Sequence, residues 1–337
     1  MLYKLANSGA LWCVLLGLAA APAVAASSAQ AGPAHGANPN IVRGVMLQPG
    51  AIYINPNDQS TKLSDIGRGR EVAIVDRSPG WLNVVGTVDI TQDPEDEEAH
   101  DRNVTGWIRD NLVITTATPD GDKIVYGEAF DSELQASKRD GRRGAALDAM
   151  RLYGWIAFYL PQSPLAAEAA YRAADIRWQI DAADALSRPS AKMRDPALHE
   201  QINEDYMRHV MKKFPGTKWA DLAAYHLIQN QLCGNWEAAA KCPEMEAKLY
   251  MKYADEHPQS PKTPEALYKA AWRYSALIQI YTTNNDGKKA DESRTRALNT
   301  AKKLVAQYPN DIDWSNRAMR LIYMVQNQVP TWGNGLD

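Results

Sequence analysis

Cys233 and Cys242 stand close together in the chain with His226 and His257 to either side, and these four side chains come nearest to a metal-ligand set. Zinc needs thiolates and imidazoles at spacings that close into one tetrahedron, and this spacing matches no standard site. The same two thiols can instead bridge across the short stretch Gly234 to Lys241, or remain free. His199-Glu200-Gln201-Ile202-Asn203 starts like the helix of a zinc protease, but Asn203 stands where the second histidine must coordinate. Gly67-Arg68-Gly69 lacks the third glycine of a dinucleotide loop, and no phosphate-loop or Gly-x-Ser-x-Gly sequence occurs. His209 and His226 lie on helical stretches and read as structural or surface histidines rather than bases. The expectation is a chain that is not an enzyme and uses no cofactor and no metal.

Between Asp89 and Arg102 the acidic residues Asp89, Asp93, Glu95, Asp96, Glu97, Glu98 and Asp101 crowd together. A calcium loop needs a tight glycine turn among its oxygen ligands, and this stretch has no glycine, so it reads as a solvated hairpin loop. Asn103-Val104-Thr105 matches a glycosylation sequon, to which no role is assigned. Over 337 residues, 37 Lys plus Arg balance 40 Asp plus Glu for a net charge of -3, which offers no basic surface for nucleic acid. The 28 aromatics comprise 15 Tyr, 10 Trp and only 3 Phe, a bias towards apolar bodies with a polar tip.

Lys4, the apolar run Ala10 to Ala21, Pro22 and then Ala23-Val24-Ala25 form the pattern of a secretory signal peptide over 1–25. The run is shorter than the roughly 20 residues that span a bilayer, so the mature chain is expected to have no membrane span. Leu11-Trp12 puts a bulky indole before Cys13, where a lipoprotein signal needs a small residue. A periplasmic or secreted location follows, and in that oxidising setting the remaining pair Cys233 and Cys242 favours a disulfide. Such a short closure contributes about 2 to 3 kcal/mol in the entropic account.

Stepping outwards to the elements, 15 of the 21 Gly fall at or before Gly144, whereas 23 of the 28 aromatics lie beyond residue 117. The two halves obey different backbone rules. Residues 26–40 read as a flexible linker. Over 41–117 short β-branched runs alternate with turns: Val42 to Leu47, Ala51 to Ile54, Glu71 to Asp76, Trp81 to Val88 and Val104 to Ile108. Asn55-Pro56-Asn57-Asp58, Gly67-Arg68-Gly69 and Ser78-Pro79-Gly80 mark turns, and the pattern predicts a small antiparallel barrel.

The order of Gly67-Arg68-Gly69-Arg70-Glu71-Val72, Gly80-Trp81-Leu82-Asn83-Val84, Thr105-Gly106-Trp107-Ile108 and Asn111-Leu112-Val113 resembles the bacterial SH3-like domain. The usual Leu-Asn-Val-Arg-x-Gly-Pro run is replaced here by Ala51-Ile52-Tyr53-Ile54-Asn55-Pro56-Asn57. The resemblance implies an SH3-like barrel in which Tyr53, Trp81 and Trp107 are candidate contacts for cell-wall peptide. The alternative is that Trp81 and Trp107 fill the barrel core.

Residues 118–130 read as a second linker, and 131–337 as helical. Four segments share a register: Tyr159-Leu160-Pro161-Gln162-Ser163, Lys213-Phe214-Pro215-Gly216-Thr217, Glu256-His257-Pro258-Gln259-Ser260 and Gln307-Tyr308-Pro309-Asn310-Asp311. Ten residues after the prolines stand Tyr171, Tyr225, Tyr268 and Met319, each preceded by Ala or Leu. Proline ends one helix and Ser, Thr or Asp caps the next, so each unit is a helical hairpin. Helices are predicted near 131–159, 163–186, 196–214, 217–232, 243–257, 264–282, 288–308 and 313–328, with Gly141 and Gly144 weakening the first. Thr263-Pro264-Glu265 and Asp195-Pro196 read as further helix starts.

These segments resemble the tetratricopeptide-like repeats of bacterial envelope proteins of the BamD/YbgF type, although proline-to-proline steps of 54, 43 and 51 exceed the usual repeat length. The expected whole is a small all-β SH3-like barrel followed by an all-α tetratricopeptide-like solenoid. Its expected role is a non-catalytic exported scaffold or adaptor that binds an envelope protein or peptide segment, with peptidoglycan as a further candidate partner. A cell-wall hydrolase, or the activator of one, is the alternative.

Overall fold

The computed structural model describes residues 42–88, 102–193, 200–234, 236, 239–331 and 333. The expectations for the signal peptide, the 26–40 linker, the acidic segment 89–101, His199 and Asp195-Pro196 lie outside these residues.

Seven strands come first: β1 (Val42–Met46), β2 (Gly50–Tyr53), β3 (Lys62–Ile66), β4 (Glu71–Ser78), β5 (Trp81–Val88), β6 (Arg102–Arg109) and β7 (Val113–Thr115). They form one antiparallel sheet in the order β3-β2-β6-β5-β4-β1-β7. The β4–β5 hairpin turns through Pro79 and Gly80, with Ser78 opposite Trp81, and Gly80 has the φ of 75° that such a turn asks of glycine. β5 and β6 pair from Trp81 opposite Arg109 to Val88 opposite Arg102. Strand alternation then sorts the side chains: Ile52, Val72, Ile74, Leu82, Val84, Val88 and Ile108 form the sheet's core. Two strands are absent from the sequence reading. β3 is mostly exposed and carries polar residues, and β7 has three residues, so neither makes a recognisable apolar run.

Nine α-helices follow among the described residues: α1 (Gly121–Ala136), α2 (Ala145–Tyr159), α3 (Ala166–Ser187), α4 (Asp205–Lys213), α5 (Lys218–His226), α6 (Lys241–Glu256), α7 (Thr263–Thr283), α8 (Gly287–Gln307) and α9 (Ile312–Gln326). α1 corrects the reading of 118–130 as a linker, and the predicted helix 131–159 is interrupted as its glycines suggested. A Cβ on Gly141 would lie 1.7 Å from the Gln135 carbonyl oxygen, and Gly144 turns the chain into α2 with φ 75°. α4 starts at Asp205 rather than near 196. Asn230 accepts from the Ile202 N–H at 3.1 Å and donates to its carbonyl at 2.8 Å, which holds this backbone out of a helix.

Four of the helix junctions repeat one geometry. Leu160, Phe214, His257 and Tyr308 each precede a proline, and their φ/ψ values are −124/52°, −127/51°, −127/56° and −127/53°. The proline ring disfavours the helical region for the residue before it, so the helix ends there. Two residues after each proline a side-chain oxygen accepts a backbone N–H: Thr217 from Ala220 N at 3.2 Å and Asp311 from Trp314 N at 3.1 Å cap α5 and α9, while Ser163 from Leu165 N at 3.1 Å and Ser260 from Lys262 N at 3.1 Å brace the turn just before α3 and α7. Thr263, expected to cap α7, instead donates its hydroxyl to the His257 carbonyl.

The sheet docks directly on the first helices. Val45 and Ile114 share a buried cluster with Val125, Ala149, Leu152 and Ile156 of α1 and α2. Gly67-Arg68-Gly69 is the hinge of this contact: Arg68 Nε lies 2.7 Å from Glu128 on α1 and donates to the Leu47 carbonyl at 3.2 Å, while Gln48 reaches Glu128 at 3.0 Å. The adjacent Arg142–Asp148 pair sits behind it, where burial pushes the Asp148 carboxyl up against the opposing pull of Arg142 and Arg68. Gly69 has φ 72°, and a Cβ there would meet Arg151 Cβ at 2.9 Å and the Asp148 carbonyl oxygen at 3.0 Å. Gly69→Ala should therefore destabilise the chain by about 1–3 kcal/mol from the left-handed backbone alone, read as a lower urea midpoint. A midpoint unchanged within error would contradict this close contact.

Candidate functional site

Residues directly opposite in a sheet point to the same side, and side chains two apart along a strand share a face. Tyr53 pairs with Trp107, Trp107 with Asn83, and Trp81 with Arg109, so these five side chains occupy the outer face of β2, β6 and β5. The Tyr53 and Trp81 rings meet edge to face at 5.7 Å, and the Arg109 guanidinium stands 4.1 Å above the Trp81 ring. Arg109 is in turn held by Asp58, with Nε 3.1 Å from Oδ1. The three aromatics expected from the SH3-like resemblance are thus gathered in one patch, on the face opposite Leu82, Val84 and Ile108. Neither Trp81 nor Trp107 belongs to the cluster of Leu82, Val84 and Ile108, but Trp81 is itself buried, as the core reading expects of it.

Within the patch the roles differ. Trp81 is 4% exposed, so it serves as the floor beneath Tyr53 and Arg109, while Tyr53 and Trp107 remain half-buried and able to touch a ligand. Asn83 Oδ1 is buried beside them with no hydrogen-bond partner among the described residues. Arg109 and Asn83 were not singled out from the sequence. The usable signal was parity, since Trp81 and Asn83, like Trp107 and Arg109, are two apart.

A second concavity lies among the helices, a groove of about 1020 Å³ between the end of α1, the start of α2, the second half of α3 and residues 200–203. Its lining alternates in charge. Arg177 pairs with Asp181 at 2.9 Å, Arg188 with Asp184 and Glu200, and Arg142 with Asp148. No side chain caps the first turn of α2, whose start borders this groove. Glu200 and Asn203, the remnants of the protease-like sequence, have structural duties here: Glu200 holds Arg188, and Asn203 accepts from the Asp205 N–H at 2.8 Å.

Cys233 and Cys242 form a disulfide, with Cα atoms 6.0 Å apart. The nominal zinc partners look elsewhere. His226 Nε2 lies 3.0 Å from the Tyr171 hydroxyl and 3.3 Å from Asp175, and His257 Nδ1 lies 2.7 Å from Asp221. Burial holds the His226 imidazole below its usual pKa, which favours the neutral ring. Among the described residues there is no group of three or more His, Cys, Asp or Glu that could hold a metal ion, and no helix long and apolar enough to cross a membrane.

The bridged loop closes over a buried ion pair. Arg273 and Glu246 are each 1% exposed, with Nε 2.7 Å from Oε2. Glu246 Oε1 accepts from the Cys233 N–H at 2.9 Å and the Trp236 indole at 3.2 Å, and the Arg273 guanidinium lies 4.6 Å from the Tyr250 ring centroid. Both oxygens of the buried Glu246 carboxylate thereby have hydrogen-bond partners. Half-buried tyrosine–acid bonds tie the first three helices in the same manner: Tyr126 donates to Glu168 at 2.6 Å and Tyr153 to Glu133 at 2.8 Å, with Arg172 bridging both acids. Burial first, and the Glu168 bond second, push the Tyr126 hydroxyl up to about 12.

No family model and no curated protein matches the chain. Among solved structures it is similar to the DHF58 filament, with 16% identity over 62% of this chain and 93% of that one and a TM-score of 0.22. It is also similar to the de novo designed helical repeat protein DHR64, with 16% identity over 62% and 94% and a TM-score of 0.21. With TM-scores this low, neither bears on the architecture or the role of this chain.

Removing one member of the buried pair leaves an uncompensated charge. Arg273→Met should cost roughly 3–5 kcal/mol in chemical denaturation, and Glu246→Leu added to it should recover part of that loss. A double variant as unstable as the sum of the two single ones would show that the pair is not coupled.

Proposed function

We propose that this chain is an exported, non-catalytic scaffold of the bacterial envelope, with an SH3-like barrel followed by tetratricopeptide-like hairpins of the BamD/YbgF type. In this reading 1–25 is a cleaved signal peptide and the mature protein is periplasmic or secreted. The helical hairpins bind a segment of an envelope protein, and the outer aromatic patch takes cell-wall peptide.

The observation that carries the reading is the groove between α1, α2 and α3. It is open, several residues long and lined by both signs of charge. Such a lining suits a polar extended segment, whose backbone and side chains can exchange with the existing ion pairs, better than a small apolar ligand. The disulfide adds support for export, since a bridged pair persists in oxidising compartments. The sheet supplies the second surface, where Tyr53 and Trp107 flank an Asn83 oxygen without a partner among the described residues.

A photo-crosslinking residue placed at Ala183, in the groove, should capture a discrete envelope protein in cells, while one at Asn299 on the exposed side of α8 should not. The purified protein should also sediment with peptidoglycan sacculi, and Trp107→Ala should weaken that sedimentation by roughly 1–3 kcal/mol, the loss expected from one aromatic contact. The absence of both adduct and sedimentation would overturn the proposal.

A further inference from the structure

The residue ten positions after each junction proline is the chain's device for joining one hairpin to the next. Tyr171 on α3 reaches Trp219 at the start of α5, with ring centroids 5.5 Å apart. Tyr225 on α5 meets Tyr253 on α6 at 5.1 Å, and Tyr268 on α7 meets Trp314 on α9 at 5.3 Å. In the last hairpin this position is Met319, and it is 48% exposed.

Met319 is not isolated. Ile312 is 71% exposed and Tyr323 64%, and with exposed Asn316 they form one stripe at spacings of four, three and four along α9. The opposite face, Ser315, Ala318, Leu321 and Val325, is buried against the preceding helices. The outward face of α8 is polar by comparison, with Lys288, Asp291, Glu292, Thr295 and Asn299 exposed. Of the described residues after α9, Thr331 is bonded to Ser275 and Gly333 accepts from the Trp272 indole, both on α7 rather than on this stripe.

We propose that the α9 stripe docks a second copy of this chain, α9 against α9, antiparallel about a two-fold axis. The face continues the series of hairpin-to-hairpin contacts made by Tyr171, Tyr225 and Tyr268, so a helix is the shape it accepts. An antiparallel copy of α9 fits it, since the stripe is self-complementary. Centring the pairing between Arg317 and Ala318 sets Ile312 opposite the second copy's Tyr323 and Asn316 opposite its Met319. Exposed Asp313 then falls on the same flank as the second copy's Arg320 and within one turn of it, which adds opposite charge at the rim. This inference is independent of the proposed envelope role.

Sedimentation equilibrium of the purified full chain over a range of concentrations should give a monomer–dimer equilibrium. Met319→Asp should weaken it roughly tenfold or more, with unchanged helicity by circular dichroism. Asp313→Arg should weaken the dimer, and Asp313→Arg with Arg320→Asp should restore it, which a non-specific apolar contact would not do. A chain that stays monomeric throughout overturns the proposal and leaves the stripe to a different helical protein. A dimer that Met319→Asp leaves intact overturns it as well.

Discussion

The clash between a proline ring and a helical residue before it organises most of this molecule. Leu160, Phe214, His257 and Tyr308 are each placed before a proline, and each leaves the helix with nearly the same dihedral angles. The residue two beyond each proline then offers its oxygen to a backbone N–H of the turn or of the next helix's first turn. The hairpins then place their Ala-rich faces within reach of one another, and the tenth residue after the proline stands where the next unit will lie. A local steric rule thus propagates into a long-range arrangement.

The sheet is joined to this array at one end by a different device. Gly69, in the left-handed region, lets the turn press its backbone onto α2, and Arg68 collects the Leu47 carbonyl and Glu128 in a single fork. The contact buries Val45 and Ile114 against α1 and α2. α9 presents an apolar stripe where α8 presents charge, and this asymmetry is what singles out α9 as a surface for association.

Polar groups inside the helical part are handled by pairing rather than exclusion. The Tyr–Glu bonds around Arg172 and the Arg273–Glu246 pair beneath the disulfide loop each put a charge where the surrounding packing is apolar. Attraction in each is offset by desolvation, and removing one partner leaves the other charge without its match. The tyrosine-rich composition has this use: the ring fills space between helices while the hydroxyl reaches an acid or backbone carbonyl.

Several of these features were legible in the sequence because their causes are local. The proline junctions with their Ser, Thr or Asp caps, the break at Gly141 and Gly144, and five of the seven strands follow from residue type and short spacing. β3 and β7 were not legible, being too polar or too short to show a period, and the late start of α4 depended on Asn230, distant in sequence. Tyr53, Trp81 and Trp107 could be singled out as aromatics. Which face they share could not, because that is set by the pairing of β2, β6 and β5. The sequence by itself determined where the backbone must turn and which residues begin and end the helices, since sterics and capping act within a few residues. Only the tertiary structure decided what each element touches: that Arg68 would join sheet to helices, that Glu246 would meet Arg273, and that α9 would keep an apolar face open. Those outcomes depend on neighbours brought together by the whole chain.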